Sequence, residues 1–271
     1  MVTSTTFKLA VLIDADNAQP SMAGPLLAEV AKYGNAHVKR AYGDWTGCGL
    51  KGWKDQLLKL SIQPIQQFAY THGKNSTDMA MIIDAMDLLY SGRFDGFCLV
   101  SSDSDFTRLA VRIRESGLSV YGFGHRTTPG PFVVACDRFV YVENFALPEQ
   151  HATKIHETVS PEKCAVAAQV GKDGQLIRQL EAAVEAASDY DGWAALVDVG
   201  NLITKRQPDF DPRSYGYGKL SNLIRALPLF EITWRSPGKA KPETLYVRVN
   251  RRSVVAAPKS SPHPDVPAGH C

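Results

Sequence analysis

The sequence has no Cys-x-x-Cys pair, no Cys/His cluster, no apolar run long enough to span a bilayer and no strong charge of either sign. Its five cysteines (Cys48, Cys98, Cys136, Cys164 and Cys271) are odd in number and far apart, which argues against a structural zinc site and against a disulfide framework. A transmembrane helix needs about 18 or more consecutive apolar residues, and no such stretch occurs. The first residues, Met1–Thr6, are short and polar, so a secretory leader is not expected and a soluble, cytoplasmic setting is. Net charge is only +2, which removes the strongly basic footprint that would announce a nucleic-acid binder, although the second half of the chain is mildly basic.

What is present is ordinary globular composition, 44% apolar over 271 residues, enough for one large or two modest domains. Short apolar runs alternate with helical patterns through residue 146, the signature of a parallel α/β sheet. Strands are expected at Lys8–Ile13, His37–Tyr42, Ile65–Tyr70, Phe97–Ser101, Ser119–Phe123 and Phe139–Val142. Helices are expected at Met22–Tyr33, Trp53–Leu60, Thr77–Tyr90, Asp105–Glu115 and Pro131–Cys136. Periodicity fades over 147–173, which reads as a linker. It returns over 174–250 as helices Gln175–Ala187, Ala194–Lys205 and Tyr215–Ala226 followed by strands Phe230–Trp234 and Thr244–Val249, the outline of a small winged helix-turn-helix α+β domain. The Pro/Ser-rich stretch 251–271 reads as a disordered tail. There is no internal repeat.

Acidic residues sit where apolar strands end. Leu12-Ile13-Asp14-Ala15-Asp16-Asn17 closes the first strand, and Val100-Ser101-Ser102-Asp103-Ser104-Asp105-Phe106 closes the fourth. Asp78 shares a helical column with Ile82, Ala85 and Leu89, whereas Asp84, Asp87 and Ser91 share the opposite face. Each acid has a bland explanation: an Asx-turn before Pro20, a helix-dipole contact at Asp78, an N-cap at Asp103 or Asp105. Taken together, at corresponding ends of neighbouring elements, they would repel unless a cation joined them. Hard divalent ions such as Mg²⁺ or Mn²⁺ favour a few carboxylates with water and phosphate oxygens.

These segments, with Lys74-Asn75-Ser76-Thr77-Asp78-Met79-Ala80 between them, resemble the NYN branch of the PIN-like nucleases over residues 7–146. The resemblance implies a sheet of strand order 3-2-1-4-5 that brings the strands ending at Asp14 and Asp103 side by side. It implies Asp14, Asp78 and Asp103 as the core metal-binding acids, Asp105 as a fourth and more peripheral one, and Mg²⁺ or Mn²⁺ as cofactor. Asn17 and Asp16 then become orienting groups, with Ser102 beside the substrate. Lys74 and Arg40 are candidate contacts to an RNA backbone, and Arg108 and Arg126 weaker ones. Asp84 also matches an acidic family position, but its helical face ranks it lower.

The segment Pro208-Asp209-Phe210-Asp211-Pro212-Arg213-Ser214-Tyr215-Gly216-Tyr217, within 174–250, is similar to the LOTUS or OST-HTH domain. That similarity implies binding of RNA or docking of a protein partner, and leaves room for a homodimer. Lys205, Arg206, Arg213, Lys219 and Arg225 would supply phosphate contacts. Two glycine-rich signals carry less. Gly47-Cys48-Gly49-Leu50-Lys51-Gly52 follows the second strand instead of the first, and Gly216-Tyr217-Gly218-Lys219 lacks the spacing of a phosphate-binding loop. The expected function is a metal-dependent endoribonuclease with an attached RNA-binding module. The alternative is a non-catalytic RNA-binding adaptor that keeps the nuclease fold.

Overall fold

The computed structural model describes residues 6–47, 49–68, 76–146, 174–236 and 243–250. The expected linker 147–173, the tail 251–271, Lys74 and the end of the expected third strand at Tyr70 lie outside the described residues. The chain divides into two compact units, one of Met1–Val159 with Gly200–Leu220, the other of Ser160–Val199 with Ser221–Cys271. No helix among the described residues is long and apolar enough to cross a membrane.

The first unit is a six-stranded, wholly parallel sheet. Its strands are β1 (Lys8–Asp14), β2 (Asn35–Gly43), β3 (Gln63–Gln66), β4 (Gly96–Val100), β5 (Ser119–Gly124) and β6 (Arg138–Tyr141), in the order β3-β2-β1-β4-β5-β6. The expected 3-2-1-4-5 core is present, with a sixth strand added at one edge. Alternation along β1 builds both faces of the molecule. Leu9, Val11 and Ile13 pack with α1 (Ala23–Val30) and α2 (Trp53–Leu60), whereas Ala10 and Leu12 pack with α3 (Ser76–Tyr90), α4 (Thr107–Glu115) and α5 (Gly130–Ala135). Buried on both sides, β1 and β4 read as unbroken apolar runs, as central parallel strands do.

Several expected elements moved, among them the third strand and the helix at Tyr215–Ala226. The third strand starts earlier than Ile65 because Pro64 tolerates an edge position, where one side needs no ladder donor. The expected helix Tyr215–Ala226 splits. A 3-10 turn at Pro212–Tyr215, capped by Asp211, ends at Gly216 with φ 81°, a left-handed conformation that suits glycine. The helix proper is Leu220–Arg225. Within this unit the Phe139 amide of β6 donates to the Pro208 carbonyl at 2.9 Å, and the Tyr141 hydroxyl donates to Asp209 at 2.8 Å.

In the second unit, α6 (Gly174–Ala187) leads to a short strand β7 (Ala194–Ala195); α7 (Leu196–Arg206) begins directly after it, its residues from Gly200 on belonging to the first unit. After α8 (Leu220–Arg225) the chain forms β8 (Phe230–Arg235) and β9 (Thr244–Val249). These pair antiparallel in the order β7-β9-β8, a three-stranded sheet where a two-stranded wing was expected.

Candidate metal centre

Strands β1 and β4 are neighbours in register, with Ile13 opposite Val100. Their next residues therefore emerge together at the carboxyl edge of the sheet, where open α/β folds bind ligands. Asp14, 1% exposed, accepts from the Ser101 hydroxyl at 2.8 Å, from the Asn17 side-chain amide at 2.7 Å and from the Asn17 backbone at 3.3 Å. Ser101 Oγ in turn accepts from the Asp103 amide at 3.1 Å. Asp103 caps the 3-10 turn Ser104–Phe106, its Oδ1 accepting from the Asp105 amide at 2.9 Å. A relay of short polar contacts thus runs from the buried end of β1 to the exposed start of the turn before α4.

Asp78, in the first turn of α3, meets this relay from above. Asp78, Asp103 and Asp105 each offer a carboxylate oxygen within 4.8 Å of the other two, grading from buried through half-buried to exposed. Asp14 is buried, its oxygens engaged by Asn17 and Ser101. Asp78 and Asp103 of the expected centre thus converge with Asp105, and the charge of Asp14 also bears on Asp78. Asp16, exposed, accepts from Thr77 Oγ1 at 2.8 Å and so ties the loop after β1 to the start of α3. Ser102 accepts from the His125 amide at 2.9 Å, which fixes the loop after β4 against β5.

The charge density is felt where the groups meet. Burial, then repulsion from Asp14, Asp103, Asp105 and Asp16, pushes the Asp78 carboxyl up to about 6. Asp14 is also raised, by burial first and by Asp16, against the lowering hydrogen bonds of Asn17 and Ser101. Three hard oxygen donors backed by two further acids form a set that fits a divalent cation, which would replace mutual repulsion with shared attraction.

Between pH about 4 and 6 folded Asp78 holds a proton that the unfolded chain releases, so stability falls as pH rises through that window and stays lower above it. The penalty is at most about 3 kcal/mol at neutral pH. Asp78→Asn is expected to raise the melting temperature of the metal-free protein by roughly 3–8 °C at pH 8, with no gain near pH 4. Thermal melts in chelator measure this, and an equal gain at both pH values would refute the electrostatic cause.

Other expected contacts fall elsewhere. Arg40 engages its guanidinium in an ion pair. It is paired with Asp84, which also accepts from the Tyr42 hydroxyl. Asp84 accordingly lies against β2 and not on a solvated face: α3 seats one flank over that strand as well as its apolar stripe over the sheet. Arg213 is likewise engaged in ion pairs. Its guanidinium forks onto Glu29 at 2.9 and 3.0 Å and onto Asp211 at 2.6 Å, both acids being buried. Arg126 is bound to Asn144 at 3.0 Å and lies over the Tyr141 ring. Arg108, three residues past Asp105, is exposed, as are Lys205 and Lys219. Among the residues that sequence reasoning missed, Thr77 positions Asp16, and Glu29 and Asp211 hold Arg213. No local pattern marks Glu29, because Arg213 is 184 positions away, whereas Asp211 lies only two residues from that arginine.

A doubly wound parallel domain with a carboxylate cluster where its central strands end defines a nuclease-type α/β protein. The chain belongs to the NYN-domain family: the NYN model matches residues 8–143, and the OST-HTH/LOTUS domain matches residues 171–242. Part of the second match, Gly200–Leu220, belongs to the first compact unit. Solved structures similar to this chain include a crystal structure of a protein of unknown function from Vibrio parahaemolyticus, 19% identical with a TM-score of 0.46, covering 54% of this chain and 98% of that one. A solution structure of an uncharacterized protein from Nitrosomonas europaea is 33% identical with a TM-score of 0.26, covering 42% of this chain and 91% of that one. No curated protein matches the chain.

Proposed function

We propose that this chain is a divalent-cation-dependent endoribonuclease that hydrolyses RNA phosphodiesters, with the OST-HTH region engaging RNA. The observation that carries this reading is the convergence of Asp78, Asp103 and Asp105 within 4.8 Å of one another, with the charge of buried Asp14 bearing on Asp78. These three would hold Mg²⁺ or Mn²⁺. Such an ion, when bound, supplies charge neutralisation at the phosphodiester and a more acidic water. Asp14 holds Asn17 and Ser101 in place, and Ser101 holds the Asp103 amide, so the trio is organised before any ligand arrives. Asn17, exposed beside the group, is placed to orient water or phosphate.

The test is incubation of the full chain with a pool of structured and unstructured RNAs, with Mn²⁺, with Mg²⁺ and with chelator, followed by mapping of the cut ends. Internal cuts that require the cation are expected, and RNA left intact under all conditions would overturn the assignment. One observation favours the alternative of a non-catalytic RNA-binding adaptor. Two candidate cations, Arg40 and Arg213, are consumed by ion pairs, which thins the positive charge available to a bound backbone. An adaptor would bind the same RNAs and leave them uncut.

A further inference from the structure

The sheet of the second unit carries an arrangement that neither family match assigns. Pairing of β8 with β9 sets Glu231 opposite Arg248, Thr233 opposite Tyr246 and Arg235 opposite Thr244. These residues share one face, since directly opposed residues of an antiparallel pair point the same way. Ala194 of β7 pairs with Val247, so Trp193, one residue earlier, joins the Arg248 side. The Arg235 guanidinium lies 4.2 Å from the Trp193 ring centroid and 6.0 Å from that of Tyr246, and the Arg248 guanidinium lies 4.6 Å from Trp193.

Two cations are thus laid against one indole, which is only 9% exposed beneath them. Their compensation is unequal. Arg248 is bound by Glu231 at 2.5 Å, whereas among the described residues no carboxylate pairs with Arg235. The nearby Asp189 is turned to the backbone, accepting from the Trp193 and Asp191 amides at 3.0 Å. The face therefore carries surplus positive charge on planar groups that lie against the Trp193 and Tyr246 rings. Little side-chain freedom remains to be lost on binding.

We infer that this face, built from Trp193, Arg235, Tyr246 and Arg248, is a binding platform for single-stranded RNA. Bases stack on the guanidinium and aromatic planes, and the arginine rims meet phosphates. Flat cationic and aromatic surfaces on a sheet suit unpaired bases, whose faces are open, better than duplex RNA, which is read through its grooves and backbone. The inference rests on the RNA reading of the OST-HTH region and names the surface that performs it. It replaces Arg213, whose guanidinium is buried in ion pairs.

The experiment is fluorescence anisotropy of a labelled, unstructured RNA with the full chain, in chelator so that cleavage does not interfere. Arg235→Ala is expected to weaken binding about tenfold or more. Arg235→Lys, which keeps the charge and loses the plane, is expected to recover only part of it. Arg248→Ala serves as a second variant should Arg235→Ala fold poorly. Wild-type affinity in both alanine variants would overturn the platform. So would loss of binding confined to Lys205→Ala/Lys219→Ala, or capture of an acidic polypeptide in preference to RNA. Failure of the wild-type chain to bind any RNA would instead remove the reading on which the platform rests.

Discussion

Arg213→Ala is expected to destabilise the protein by about 3–5 kcal/mol, the usual cost of leaving a buried ion-pair partner alone. The guanidinium is 15% exposed, and it serves two carboxylates that are more buried still, Glu29 and Asp211. Burial by itself would raise the Glu29 carboxyl, yet hydrogen bonds from Arg213 and Lys32 outweigh it and hold Glu29 below its ordinary 4.5. A depressed carboxyl contributes stability that is present above pH 4.5 and is lost as pH falls through the lowered folded value. In Arg213→Ala that acid-side loss should flatten along with the overall drop. Arg213→Lys should fall between, because an ammonium cannot fork onto Glu29 and Asp211 together. Urea titrations at pH 7 and pH 4 measure both effects. A loss below about 1 kcal/mol would show a solvated pair of the kind found on surfaces.

Asp103→Asn is expected to reduce metal-dependent RNA cleavage at least about 100-fold while leaving the fold intact. Asp103 has two tasks that this substitution separates. As an N-cap its Oδ1 accepts from the Asp105 amide, and asparagine performs that task about as well. As one of three converging carboxylates it contributes charge, which asparagine does not. An unchanged melting temperature with cleavage gone therefore isolates the second task. Asp14→Asn should also lower cleavage, but through altered hold on Asn17 and Ser101. Wild-type cleavage by Asp103→Asn would remove the catalytic role from the acidic group.

The parallel sheet was legible because β1 and β4 are buried on both faces and read as continuous apolar runs with acids at their ends. Asp78 could be placed by helical periodicity for the same reason: it begins the column that the core covers. Asp84 could not, because a helical wheel assumes one buried direction and α3 also lays a flank on β2, where Arg40 and Tyr42 wait. Arg213 read as a surface cation since its partner Glu29 stands 184 positions away and no local pattern links them. The face of Tyr246 and Arg248 was written in the alternation of Thr244–Val249. Its meaning depended on Trp193, which the short strand β7 brings alongside.

The Pro208 carbonyl has a bearing on how this family member should be divided. Strand β6 ends the sheet, and an outermost strand with free amides invites pairing with other chains. Here the Phe139 amide is taken by Pro208, with Tyr141 to Asp209 beside it. The matched NYN range stops at residue 143, far short of that cover. A fragment cut there would carry every acid of the candidate centre and also a bare strand. Its self-association would be a property of the cut, not of the protein.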